Sequence, residues 1–173
     1  MDALTTVKNL IPDFAKDIRL NIDGVIARSS LAPNEALGAA LAAAFAAKSP
    51  ELIAAFRSAA ELPAEEANAA LTAAALMGMN NVYYPFTEMS NDAELRTIPA
   101  GLRMNAYATH GGVSKKLFEL YALAASIVGK CHFCVSSHYA TLKQEGLSTK
   151  QLQDIGKIAS VVNAAAQIIA AKV

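Results

Sequence analysis

Apolar residues recur along this chain at helical intervals, and prolines mark where one run stops and the next begins. Pro12 fits the first turn of a helix running to about Ile26. Pro33, Pro50 and Pro63 each stand where a further helix can start, because the opening residues of a helix need no backbone N–H. From Pro63 to about Gly78 the apolar period is long, and the stretch Asn80–Pro85 is expected to break it. Residues 91–112 mix Gly, Pro and polar groups and predict only short helices. Ser114 reads as the N-cap of a helix to about Gly129, followed by one from near Lys130 to Gly146. Ser148 with Gln151 gives a capping-box pattern for a last helix to about Lys172. Strand-like alternation is scarce, so the predicted fold class is all-α: a helical bundle forming a single domain over residues 1–173.

The pattern also echoes itself. The run Ala73–Tyr83 lines up with Ala124–Cys134, pairing Gly78 with Gly129, and Asn80 and Tyr83 stand where the later copy has Cys131 and Cys134. This suggests a duplicated helical unit, with a degenerate half at about 30–90 and a CxxC-bearing half at about 114–172. Similarity between two alanine-rich helices by composition alone is the competing reading.

Composition narrows the function classes. At 173 residues the chain can bury a core without staples. Its abundant alanine suits closely packed helices. The net charge is zero and no basic run occurs, which argues against nucleic acid as a partner. The opening residues carry Asp2 and no long apolar core, unlike a secretory signal. The alanine-rich run Leu37–Ala47 is too short to span a bilayer, so no membrane association is expected. The two cysteines sit three residues apart, a spacing that in a cytoplasmic protein points to catalysis or metal binding rather than to a disulfide framework.

The candidate chemistry lies in Cys131-His132-Phe133-Cys134-Val135-Ser136-Ser137-His138, with Glu119 upstream. Cysteines at i and i+3 share a helix face, with α-carbons about 5 Å apart, within reach of a disulfide. At a helix start, unpaired N–H groups and the helix dipole favour a Cys131 thiolate, and Lys130 adds positive charge. His138 follows Cys134 by four residues and projects to the same side. It can move a proton near neutral pH. Glu119, on the preceding helix, can reach the thiol region if the two helices form a hairpin, and burial there would raise its pKa. A redox pair leads over two competing readings: two ordinary core cysteines, or a structural zinc site from Cys131, Cys134, His138 and either Glu119 or His132. Zinc usually takes four ligands, and no second CxxC exists. Taken singly, Glu119 also suits a solvated helix face and His138 a core edge. His132 points elsewhere, His110 reads as a loop histidine, and Met77, Met79, Tyr83 and Tyr84 read as packing residues.

These residues resemble the alkyl hydroperoxide reductase D (AhpD) family of the carboxymuconolactone-decarboxylase-like superfamily. The likeness extends to Pro12–Asn21, Met77–Tyr84 and Gly101–Asn105, and covers about Leu10 to Val162. It implies an AhpD-like bundle, a homotrimer, and an antioxidant peroxidase acting on organic hydroperoxides. It implies no tightly bound cofactor and no metal. Electrons would come from a dihydrolipoyl group on the acyltransferase of a 2-oxoacid dehydrogenase, and an AhpC-type peroxiredoxin would be a partner. Carried over by position, Cys134 is the peroxidatic thiol that becomes a sulfenic acid. Cys131 donates a proton and resolves it into the Cys131–Cys134 disulfide, and Glu119 and His138 form the proton relay. The family often has a histidine immediately before the second cysteine; here Phe133 stands there and the histidine is His132. A redox adaptor with little peroxidase activity of its own is the main alternative, and decarboxylation, known elsewhere in the superfamily, is disfavoured because it needs no cysteine pair.

Overall fold

A computed structural model of the chain describes residues 2–172. Among them there are helices and turns and no strand, as the pattern predicts. The helices are α1 (Ala3–Asn9), α2 (Lys16–Ile22), α3 (Pro33–Ala46), α4 (Pro50–Arg57), α5 (Ala64–Met89), α6 (Asn105–Ala108), α7 (Lys115–Gly129), α8 (His132–Gln144) and α9 (Thr149–Ala171). A 3₁₀ turn at Asp13–Ala15 leads into α2 and a π turn at Asp23–Ala27 follows it, so the helix read from Pro12 exists as a composite. Helix α1 was not legible as a separate element. Asp2 caps it, its side chain accepting from the Leu4 N–H.

Helix α3 is the hub. Its residues Ala39–Ala44 are all fully buried, and it packs on α5, α7 and α9. A helix apolar all round belongs in a core. Small side chains let neighbours close in, and at Gly38 even a methyl group would overlap the Tyr121 ring of α7. The Tyr121 hydroxyl donates to Glu66 of α5 (3.2 Å), which also accepts from Asn34 of α3 (2.8 Å), so one half-buried polar knot ties the three helices.

The expected break at Asn80–Pro85 does not occur. Helix α5 runs through it to Met89, with Pro85 inside. Proline removes one hydrogen bond, to the Asn81 carbonyl. Contacts to the neighbouring hairpin offset that loss: Asn81 Nδ2 donates to the Ala125 carbonyl of α7 (3.2 Å), and Tyr84 stacks on Phe133 of α8 with centroids 4.5 Å apart.

The second half follows its capping signals. Ser114 accepts from the Leu117 N–H, and Ser148 and Gln151 form the reciprocal capping box of α9. Helix α9 is long and apolar enough to cross a bilayer by length and composition. Its buried residues, Leu152, Ile155, Ile158, Ala159 and Val162 among them, face α3 and α7 instead. Residues 91–112 hold only short turns and α6, as expected. Helices α5 and α7 begin 51 residues apart, at Ala64 and Lys115, the same offset as the sequence echo.

Candidate functional site

The site is built where the α7–α8 hairpin turns. Lys130 adopts a left-handed conformation (φ 56°) and closes α7, so α8 begins at His132 rather than at Lys130. Cys131 is thereby the N-cap of α8, and its Sγ accepts from the Cys134 N–H at 3.2 Å. Cys131 and Cys134 form a disulfide with α-carbons 5.3 Å apart, close to the helix-derived expectation. The first sulfur therefore sits where unpaired helical N–H groups favour negative charge. Both cysteines are buried. An open groove of about 480 Å³ reaches Cys131 between Ile127, Val135 and Tyr139.

One turn further along α8, His138 is buried against Glu119 of α7. Nδ1 lies 2.7 Å from Glu119 Oε2, so the hairpin does bring the two sequence candidates together. His138 Nε2 lies 3.1 Å from Met77 Sδ of α5. With the disulfide closed, both ring nitrogens are thus engaged away from the sulfurs. Glu119 Oε1 accepts a hydrogen bond from the Tyr107 hydroxyl of α6.

Electrostatics differ from the sequence expectation. Burial alone pushes the Glu119 carboxyl up. The hydrogen bonds from His138 and Tyr107, with the charges of His138 and Lys115, outweigh that and hold it below its usual range. The carboxylate is stabilised in its ionised form. Tyr107 moves the other way: burial first, then its bond to Glu119 and the carboxylate's negative charge, raise its pKa and keep the phenol protonated.

The remaining candidates fall outside this cluster. His132 is exposed, with Nδ1 3.6 Å from Glu88. Phe133 lies on Tyr84, along a larger groove of about 840 Å³ that also involves Tyr83, Leu95 and Ile98. His110 has a positive φ and packs near Phe118. Met77 is a packing residue whose sulfur meets the imidazole. Sequence reasoning missed Tyr107, because a four-residue helix has no period to display which way its tyrosine faces. Among the described residues, no three His, Cys, Asp or Glu side chains gather as a metal site would require. The ligands of the zinc reading are committed elsewhere: the cysteines to each other, Glu119 to Tyr107 and His138.

A disulfide-bonded cysteine pair at a helix start suits the thiol–disulfide chemistry of an oxidoreductase, and comparison with known proteins narrows this class. Residues 93–172 match the carboxymuconolactone decarboxylase family model. The chain is 42% identical over 172 residues to alkyl hydroperoxide reductase AhpD of Rhodospirillum centenum, covering 98% of this chain and 92% of the relative. It is 42% identical to the AhpD of Maricaulis maris, covering 98% and 99% of the two chains. With the AhpD of Coxiella burnetii it shares 39% identity, over 95% and 96%. The chain belongs to the alkyl hydroperoxide reductase AhpD family, and its activity is that of a peroxide-reducing, antioxidant oxidoreductase.

Proposed function

We propose that the chain reduces organic hydroperoxides through a Cys131–Cys134 dithiol–disulfide cycle. The observation that supports this reading best is the bridged pair capping α8, one turn from the buried Glu119–His138 pair. The Cys134 thiolate attacks the O–O bond, the alcohol leaves, and Cys134 becomes a sulfenic acid. Cys131 gives up its proton and attacks that sulfur, releasing water and closing the disulfide. Glu119 and His138 carry protons to and from the pair. A dithiol then reopens the bridge by two exchange steps, itself becoming a disulfide.

The dithiol in this proposal is a dihydrolipoyl group on a 2-oxoacid dehydrogenase acyltransferase. The groove at Cys131 supports it, since an apolar carbon chain suits Ile127, Val135 and Tyr139. The reduced pair also regenerates an AhpC-type peroxiredoxin. The working unit is a cytoplasmic homotrimer, for which exposed apolar residues such as Val82, Phe86 and Met89 offer packing surface.

The test is hydroperoxide consumption driven by reduced lipoamide, in the wild type and in Cys131→Ser and Cys134→Ser. Turnover in the wild type, lost in both variants, supports the cycle. A wild type that regenerates a partner peroxiredoxin but consumes no hydroperoxide would leave the adaptor role as the function.

A further inference from the structure

The Glu119–His138 pair is held from outside by a residue that neither the CxxC pattern nor its spacing reveals. We propose that Tyr107 is a positioning residue for this pair, fixing which carboxylate oxygen meets the imidazole and which ring nitrogen carries the proton. The inference rests on the proton-relay reading of Glu119 and His138 given above.

A carboxylate offers two oxygens, and a buried one must have both satisfied. Glu119 is 1% exposed, so water does not compete for either. Oε2 faces His138 Nδ1, and Oε1 receives the Tyr107 hydroxyl. Remove that hydroxyl and Oε1 becomes an unpaired charged acceptor in the core. The carboxylate must then rotate or take up a proton. Rotation breaks its present contact with Nδ1, and protonation removes the charge that strengthens it.

The proton placement follows from the donors and acceptors available. Tyr107 stays protonated, because burial and the neighbouring carboxylate both oppose a phenolate. It therefore donates to Glu119 and holds the carboxyl in its ionised form. An ionised carboxylate only accepts, so Nδ1 of His138 carries a proton. Nε2 is left facing the Met77 thioether, a weak acceptor on a flexible side chain, and is the nitrogen free to exchange protons once Met77 moves aside. Three groups bear on the Glu119 charge: His138 from α8, Tyr107 from α6 and Lys115 from the first turn of α7. Tyr107 is itself braced edge-on against Phe118, with centroids 5.6 Å apart at 83°. Through it, the weakly structured segment 91–112 reaches the site.

The experiment uses the full-length chain and Tyr107→Phe, which keeps the ring on Phe118 and deletes only the hydroxyl. Turnover of an alkyl hydroperoxide with reduced lipoamide is followed against pH, alongside the ¹⁵N resonances of His138. The expected result is a kcat lower by about tenfold, with KM for the hydroperoxide unchanged. The acid limb moves to higher pH, because a bond that holds the Glu119 carboxyl down is gone. The His138 nitrogen shifts move away from the Nδ1-protonated pattern. Wild-type kcat, acid limb and His138 shifts in this variant overturn the proposal. If the wild type shows no peroxide turnover at all, the peroxidase reading falls. The His138 spectrum then still decides the positioning role on its own: altered shifts in Tyr107→Phe support it and unaltered shifts overturn it. Should Tyr107→Phe not fold, the wild type supplies the readout. A slowly exchanging, downfield phenolic proton lost in Glu119→Ala supports the bond, and a rapidly exchanging one overturns it.

Discussion

His138 Nδ1 lies 2.7 Å from Glu119 Oε2, across the hairpin that α7 and α8 make around Lys130, and both side chains are almost sealed from solvent. A buried polar pair is poor evidence for stability, since desolvation offsets much of the attraction. Its position, one turn beyond the cysteine that α8 covers, makes sense as proton chemistry. Glu119→Gln keeps the shape and one acceptor oxygen but loses the charge. It is expected to lower turnover by about a hundredfold or more, in the range for loss of a positioned acid–base group. Because the carboxyl is held below its ordinary value of 4.5, Glu119 stays ionised through the neutral range. Its carboxyl should titrate below that ordinary value, followed by side-chain ¹³C NMR against pH. A Glu119 carboxyl resonance titrating above it would contradict the hydrogen bonding seen here.

The two cysteines are expected to differ in what they trap. In Cys131→Ser, a hydroperoxide should leave Cys134 as a sulfenic acid with no resolving thiol, detectable by mass after dimedone labelling. In Cys134→Ser, Cys131 should give little of this adduct. Adduct confined to Cys131 would exchange the two roles without disturbing the disulfide cycle.

The helical fold was readable because its caps are local. Ser114, Ser148 and Gln151 announce their helices through side chains that reach their own first turns. The disulfide was readable for the same reason, since three residues at a helix start fix the α-carbon distance. What failed was long-range. Pro85 signals a break, but Asn81 on Ala125 and Tyr84 on Phe133 hold α5 helical through it. Burial of Glu119 suggested a raised carboxyl. The opposite sign comes first from His138, nineteen residues downstream, and then from Tyr107, twelve upstream. No spacing rule connects those three.

Gly78 and Gly129, paired in the internal echo, should respond oppositely to alanine. Gly78 lies inside α5 with open space where a Cβ would go. Gly78→Ala should stabilise by about 0.5–1 kcal/mol, through helix propensity. At Gly129 an added Cβ would overlap Asn81 Nδ2 and Cγ and come within 2.8 Å of its Cβ. Asn81 would have to abandon the Ala125 carbonyl, and the end of α7, two residues before Cys131, would shift. Gly129→Ala should cost about 1–3 kcal/mol, as overpacking does. Thermal unfolding of both variants checks this, and equal midpoints would show that the close approach at Gly129 is not enforced.

Asp154 should make acid stability depend on a contact far from the cysteines. It is buried on α9, where it accepts from the Ser30 N–H (2.9 Å) and hydroxyl (2.7 Å) and pairs with Lys150. It thus ties α9 to the segment leading into α3. Burial pushes its carboxyl up, but the Lys150 and Ser30 bonds prevail and bring it down to about 2, from 3.8. A carboxyl depressed on folding contributes stability above its unfolded value and loses it as pH falls through the folded one. The contribution is therefore complete at neutral pH and fades between about 4 and 2. Asp154→Ala strands the Ser30 N–H and should cost about 1–3 kcal/mol at pH 7. Asp154→Asn keeps an acceptor for Ser30 and loses only the attraction to Lys150 and, at 3.8 Å, to Lys157, both of whose side chains are about half exposed, so it should cost less. Urea unfolding of the three proteins at neutral and acidic pH reads this directly. The gap between wild type and Asp154→Ala should narrow as pH falls through that window. A gap of constant size would mean that the Ser30 contact holds through packing alone, with no part played by the charge.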